Sequence, residues 1–269
     1  MATPEPSASP DASDAVRARS FDSAAARYAA NRPSYPAALL DTLEELAGRP
    51  LSGARTVDVG AGTGIATALL RARGADVLAV EPGAGMAAEF RRALPHVPLV
   101  RGVGDALPVA DAHADLLTYA QAWHWTDPAR SVPEALRVLR PGGALALWWN
   151  TEALDVEWIA EAAERTARFL GPRFTAAEQR RAGERTERAD PSGRLDFARR
   201  TVRWSRRVPV DVHLANLGSH SALLVRPEEQ TAAFLAEERA HLLVAFPDGT
   251  VEETYDVRLL VAVKPGHRT

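Results

Sequence analysis

Apolar positions follow two rhythms along the chain. The short runs Thr56 to Val59, Val77 to Val80, Pro98 to Val100, Asp115 to Tyr119 and Ala144 to Trp149 lack regular polar alternation, which marks strands buried on both faces. Between them Ile65 to Arg73, Gly85 to Leu94 and a segment opened by Asp127-Pro128 have helical spacing, and Val132, Leu136 and Leu139 make one buried stripe in the last. Strand and helix in alternation predict a doubly wound α/β fold with a mostly parallel sheet. Pro141-Gly142-Gly143 predicts a turn before the fifth run.

On the N-terminal side, residues 1–19 are rich in Ala, Pro, Ser and Asp and predict a disordered tail. A helix from Phe21 to Ala30 should stop before Arg32-Pro33-Ser34-Tyr35-Pro36, because each proline disfavours helix in its predecessor, and a second should run from Pro36 to Ala47. Residues 20–150 thus read as an α/β core with an N-terminal cap helix. Residues 151–245, with a helix from Val156 to Leu170, an arginine-rich stretch and helical material from Val208 to Ala245, read as a cap and substrate region. Residues 246–269 supply a closing strand, Glu252 to Val263, entered through the turn Asp248-Gly249.

Composition narrows the function. At 269 residues, 46% hydrophobic and 25% charged, the chain can bury a large core. It has no cysteine, hence no disulfide or thiolate metal site, and no metal is expected. Neither a membrane-spanning run nor a signal-peptide layout is visible, and a cytoplasmic protein without a membrane partner is expected. A net charge of −3 argues against a nucleic-acid partner. Between Arg173 and Arg207 eleven arginines face five acids, either a solvated basic face or a lure for an anion.

The chemistry concentrates in Val57-Asp58-Val59-Gly60-Ala61-Gly62-Thr63-Gly64, which leaves a buried strand and enters a helix. Glycines let the loop turn sharply and a ligand lie on bare backbone beside unpaired helix N–H groups. The dinucleotide fingerprint requires glycine at position 65, which is Ile, and Asp58 suits a ligand bearing ammonium and sulfonium better than phosphates. Glu81 ends the second strand 21 residues after Gly60, where a carboxylate can accept from ribose hydroxyls. Asp105 follows the third strand, where it could accept from an adenine amine. Trp123-His124-Trp125 follows the fourth: either the acceptor pocket with His124 as a general base, or core tryptophans with a scaffold histidine.

Asp58 to Gly64, Glu81-Pro82, Gly104 to Pro108 and Leu139-Arg140-Pro141-Gly142-Gly143 together resemble the class I S-adenosylmethionine-dependent methyltransferases. Phe21, Tyr28, Arg32 to Pro36 and Gln121 to Trp125 resemble the trans-aconitate methyltransferase-like subgroup. The resemblance implies a seven-stranded Rossmann-like sheet, S-adenosylmethionine as cofactor and a small-molecule acceptor, a small organic acid or secondary metabolite. It implies that Gly60, Ala61, Gly62 and Gly64 pass the methionyl part with Asp58 near its amino group. Glu81 and Pro82 would hold the ribose, Asp105 and Ala106 the adenine edge, and Gln121 the methionyl end. Met86 would pack on adenine, unless its helical spacing with Phe90 makes it core. Tyr28, Arg32, Trp123 and Trp125 would bind the acceptor. A cofactor-binding protein without catalysis is the alternative, and oligomeric state is left open.

Overall fold

The computed structural model describes residues 31–171 and 189–266. The helix expected over Phe21 to Ala30, Tyr28 with it, the tail and the first half of the arginine-rich stretch lie outside the described residues.

Seven strands form one sheet in the order β3-β2-β1-β4-β5-β7-β6. They are β1 (Arg55–Val59), β2 (Asp76–Val80), β3 (Leu99–Val100), β4 (Ala114–Ala120), β5 (Leu139–Glu152), β6 (Ala198–Pro209) and β7 (Thr250–Val263). The first five run parallel, and β7 is antiparallel to both β5 and β6. Helices α1 (Ala37–Ala47), α2 (Ile65–Ala72), α3 (Ala84–Ala93) and α4 (Pro128–Val138) accompany the parallel strands. A second set, α5 (Glu157–Leu170), α6 (Val210–Gly218), α7 (Ser221–Leu224) and α8 (Glu228–Ala245), follows. The fold is the doubly wound, mostly parallel one that the apolar rhythm predicts.

Both faces of the sheet are covered, as strands buried on both sides require. One cluster joins Val57, Leu117, Tyr119 and Leu147 to Val132, Ala135 and Val138 of α4, and the other joins Leu116, Trp148 and Leu259 to Leu39, Leu40 and Leu43 of α1. Helix α4 starts where Asp127 Oδ1 accepts from Ala129 N at 3.0 Å, with Pro128 in the first turn, where a missing N–H costs nothing. Its last carbonyls meet the sole lysine: Lys264 Nζ donates to Leu136 O and Leu139 O at 2.6 Å each, a cation at the negative end of the helix.

Several elements differ from the sequence reading. The buried face of α4 is Ser131, Val132, Ala135 and Val138, with Leu136 half-buried and Leu139 already in β5. Strand β5 begins five residues early: Leu139 pairs with Ala114 and Ala144 with Leu116, so Pro141-Gly142-Gly143 forms an irregularity inside the strand rather than a turn before it. The end of the arginine-rich stretch, together with Val208 and Pro209, expected to open helical material, forms the edge strand β6. Its partner β7 is separated from it by α6, α7 and α8, so the two are antiparallel neighbours without a tight hairpin turn.

At the carbonyl-poor end of the central strands, Asp115 ties three strand entrances together. Its Oδ2 accepts from Arg55 N at 2.8 Å, and its carboxylate pairs with Arg140 at 2.5 Å and Arg49 at 3.5 Å. The Asp115 side chain is only 6% exposed, so losing it strands the Arg55 N–H and removes the counter-charge of Arg140 and Arg49. Asp115→Ala is expected to lower unfolding free energy by about 2 kcal/mol in urea titrations. Glu89→Ala, which breaks the surface pair with Arg92, should cost no more than about 0.5 kcal/mol; equal losses would remove Asp115 from this role.

Candidate active site

The glycine-rich bend leaves β1 and enters α2, whose N-terminus has no side-chain cap. Gly60 N and Ala61 N both donate to Val80 O, at 2.8 and 3.1 Å, which pins the bend against the end of β2. A Cβ on Gly60, at φ +67°, would stand 2.5 Å from Ala122 Cβ, so only bare backbone lets the loops after β1 and β4 approach. At Gly62, φ +58°, a Cβ would meet nothing nearer than Gly60 O at 4.0 Å, because that direction opens into a cavity.

Asp58 lies beneath this bend and is fully buried. Its Oδ2 accepts from Thr67 Oγ1 of α2 at 2.6 Å and its Oδ1 from Thr118 Oγ1 of β4 at 2.8 Å. Burial raises its pKa to about 6, against the lowering effect of the two threonine bonds. The carboxylate therefore faces the protein interior and does not line the cavity.

The cavity above the bend has a volume of about 540 Å³, within the range usual for small-molecule and cofactor sites. Glu81, 6% exposed, is clamped there: Oε2 accepts from Gly62 N at 2.8 Å and Oε1 from Gly83 N at 2.7 Å. Asp105 Oδ1 accepts from Asp127 N at 3.0 Å and Ser131 Oγ at 2.6 Å. Two carboxylates thus stand at fixed positions on the chamber lining, which Pro82 and Met86 share.

Gln121 ends the other side. Although not glycine, it has φ +58°, with its N–H held by Trp148 O at 2.8 Å. Backbone strain of this kind persists only where the surroundings enforce it. Gln121, Arg32, Asn150 and His220 line this cavity and also a second one of about 390 Å³, so the four side chains form a neck between two chambers.

The second chamber has an apolar roof and a polar floor. Helix α5 turns Trp158, Ile159, Ala162 and Thr166 toward it, and Leu217 and Leu223 close one side. The floor comes from the outer halves of the antiparallel strands. Residues directly opposite in such a pair share a face, so Glu152 paired with Tyr255, and Glu253 paired with Arg206, project together. Glu253 Oε2 pairs with Arg206 at 2.5 Å and Oε1 with His213 Nδ1 at 2.7 Å. Burial pushes the Glu253 carboxyl up, and His213 and Arg206 more than reverse that, holding it below its usual range.

The structure thus gathers Gly60, Gly62, Glu81, Pro82, Met86 and Asp105 around the larger chamber, with Gln121, His124, Trp125 and Arg32 on its far side. Ala61 and Gly64 shape the bend without lining the chamber; a Cβ on Gly64 would sit 2.7 Å from Leu94 Cδ1. Ala106 is exposed on the surface and bridges to Val103. Trp123 is core rather than acceptor pocket: it is 2% exposed and stands edge-on to Tyr119 with ring centroids 4.8 Å apart. Residues 123–125 make a single 3-10 turn, which sends the neighbouring tryptophans to different environments. His124 has accessible surface, but the protein crowded around it lowers its pKa to about 4, and Nδ1 accepts from Trp149 Nε1 at 3.3 Å. That lone pair is the one a neutral Nε2–H ring would need to act as a base.

Asn150, His220 and the floor residues Glu152, Asn216, His213 and Glu253 went unread in the sequence. Asn150 had a signal, a polar residue ending an apolar strand just as Gln121 does after β4; the others come together only through tertiary pairing.

Residues 57–147 match the sequence model of a family described as a methyltransferase domain. An uncharacterized methyltransferase of Mycobacterium tuberculosis is 44% identical over 153 residues, which is 57% of this chain and 61% of the relative. A demethylmenaquinone methyltransferase of Beutenbergia cavernae is 39% identical over 107 residues, covering 39% of this chain and 44% of the relative. The chain therefore spans about three fifths of the first relative and less than half of the second. Among solved structures, that of a putative type II methyltransferase from Anaeromyxobacter dehalogenans superposes with a TM-score of 0.68 at 28% identity, over 88% of this chain and 99% of that one. The architecture is the Rossmann-like methyltransferase fold.

The buried Asp58 carboxylate sets a pH dependence. Its folded pKa lies above the ordinary 3.8, so the folded chain binds the extra proton: this favours folding below about pH 4 and fades as pH rises through about 6. The shift corresponds to no more than about 3 kcal/mol. Asp58→Asn, which cannot ionise, is expected to gain in melting temperature relative to the parent as pH goes from 4 to 7; a difference constant across that range would contradict the assigned protonation.

Proposed function

We propose that the chain is an S-adenosylmethionine-dependent methyltransferase acting on a small-molecule acceptor, with the cofactor in the larger chamber and the acceptor in the smaller. The observation that carries this reading is the pair of chambers joined by one polar neck, the first bounded by a bare-backbone bend and two anchored carboxylates. The match of residues 57–147 to a methyltransferase family supports it.

The residues present fit the cofactor. The space that a Cβ on Gly62 would enter is open, Glu81 is placed to accept from ribose hydroxyls, and Asp105 Oδ2 takes part in neither bond made by Oδ1. Met86, 6% exposed and on the chamber wall, offers a flat apolar contact for an adenine ring. Asp58 acts by holding β1, α2 and β4 in place beneath the bend rather than by direct contact. When bound, the cofactor supplies an electrophilic methyl group on a sulfonium.

The protein's own contribution is orientation. Gln121, Asn150, Arg32 and His220 form the passage through which an acceptor atom must face the methyl group, and alignment of two reactants can supply about 7 to 11 kcal/mol of barrier reduction. The His124 Nδ1 lone pair is engaged by Trp149, so in this arrangement transfer relies on position, and no base at His124 is invoked. The demethylmenaquinone methyltransferase relative favours a small molecule as acceptor, through a likeness confined to less than half of that protein. Membership of the trans-aconitate methyltransferase-like subgroup remains part of this proposal. Among the described residues no helix is long and apolar enough to cross a membrane.

Isothermal titration with S-adenosylmethionine is expected to show saturable binding, and a flat trace at millimolar cofactor would overturn the reading. Gly62→Val should abolish that binding by filling the open side of the bend, while Gly142→Val, at a similarly positive φ but far from the chamber, should retain it. Glu81→Ala should weaken binding by roughly tenfold to a hundredfold, the range for lost hydrogen bonds to a charged group.

A further inference from the structure

The floor of the smaller chamber contains acceptor capacity that the protein leaves unused. Glu253 is saturated by Arg206 and His213. Thr151 Oγ1 donates to Asp256 O at 2.7 Å, and Asn150 is engaged at both ends, Oδ1 by Trp204 Nε1 and Nδ2 with Ser34 O. Two groups remain. Glu152 lines the chamber with neither hydrogen bond nor ion pair to any described residue, and Asn216, 5% exposed, donates through Nδ2 to the Tyr255 hydroxyl at 3.2 Å but leaves Oδ1 buried and unpartnered. Buried polar atoms are nearly always paired in folded proteins, so an orphan on a cavity wall calls for a donor from the occupant.

Both unspent groups offer acceptor oxygens, and one is a carboxyl that a cationic partner would hold in its charged form. We propose that this chamber selects an acceptor molecule carrying an organic ammonium group, held by the Glu152 carboxylate and Asn216 Oδ1 on the floor, with its apolar body against α5. This rests on reading the smaller chamber as the acceptor site. Strand geometry separates binding from chemistry: Glu152 and Asn150 lie two residues apart on one face of β5, roughly 6 to 7 Å, so a molecule anchored at Glu152 presents a different atom to the neck. The apolar roof of Trp158, Ile159, Leu217 and Leu223 suits an aryl or alkyl body.

Charges around the floor agree. The Arg206 guanidinium is neutralised by Glu253, and Arg32 lies at the neck with Nη2 donating to Ser219 O at 3.4 Å. Glu152 keeps accessible surface on the chamber, yet the surrounding protein raises its pKa, with His213 opposing and Glu253 reinforcing the rise. A cationic partner would restore its ionised form. A carboxylate acceptor, by contrast, would bring a second uncompensated negative charge beside Glu152.

Matched probes test this with the full chain. Phenethylamine, phenethyl alcohol and hydrocinnamate share an aryl body and differ in the head group. Each is titrated calorimetrically into the protein alone and into protein with S-adenosylhomocysteine, so failure of cofactor binding reads separately from failure of head-group selection. The amine is expected to bind at least tenfold more tightly than the carboxylate, and Glu152→Gln should erase most of that preference, as loss of one charge-assisted bond implies. Asn216→Asp should increase it. The S-adenosylhomocysteine affinity and melting temperature of both variants identify any that fold poorly, and the wild-type ranking stands by itself. Equal or tighter binding of the carboxylate, an amine preference that survives Glu152→Gln, binding led by the alcohol, or no binding of any probe would overturn the proposal.

Discussion

A buried carboxylate accepting from two threonines organises the half of the molecule around the glycine bend. Asp58 joins Thr67 of α2 and Thr118 of β4 to β1 at the base of the glycine bend, so the strand, the helix it feeds and the neighbouring strand are locked at one point. Desolvating such a group is costly, and the cost is accepted because both oxygens are satisfied. The bend then follows: Gly60 can lie against Ala122, Gly62 N can reach Glu81, and Glu81 is presented to the chamber at a fixed height. Each part of this chamber wall takes its position from the one below it.

The antiparallel half obeys a different constraint. Strands β5 and β7 are fourteen residues long and their outer ends pass beyond the parallel core, and what they carry there is polar and paired across the sheet rather than apolar. Arg206 with Glu253, and Glu152 beside Tyr255, depend on the period of two along extended chain and on the register of three strands. A slip of one residue in β7 would move Glu253 and Tyr255 to the opposite face and leave Arg206 beside the wrong neighbour.

This difference explains what the amino-acid sequence disclosed. The parallel core was legible because buried strands and amphipathic helices imprint continuous and helical periodicities, and because Gly60, Gly62, Glu81 and Asp105 sit at strand ends where spacing alone locates them. Strand β6 escaped notice although Val202, Trp204 and Val208 recur every second residue. The inward position between the last two is Arg206, polar because its partner is Glu253 on another strand, and the arginines on the outer face read as a basic surface. Trp123 and Trp125 are two residues apart, and only the 3-10 turn, which leaves no periodic trace, assigns one to the core and the other to the chamber. Asn216 and Glu152 are separated by 64 positions and come to line one chamber only once α6 packs on β6 and β7 beside the end of β5; no local pattern could have joined them.

The sequence match to the methyltransferase domain ends at residue 147, and the neck begins at Asn150. That boundary falls within a single continuous strand, β5, whose first part lies in the parallel core and whose last part floors the second chamber. One rigid element thereby connects two regions that answer to separate demands. Exchanges on the distal segments of β5, β6 and β7 can reshape the second chamber while the glycine bend and its carboxylates keep their geometry, a modular route to a different cavity without the insertion of a new domain.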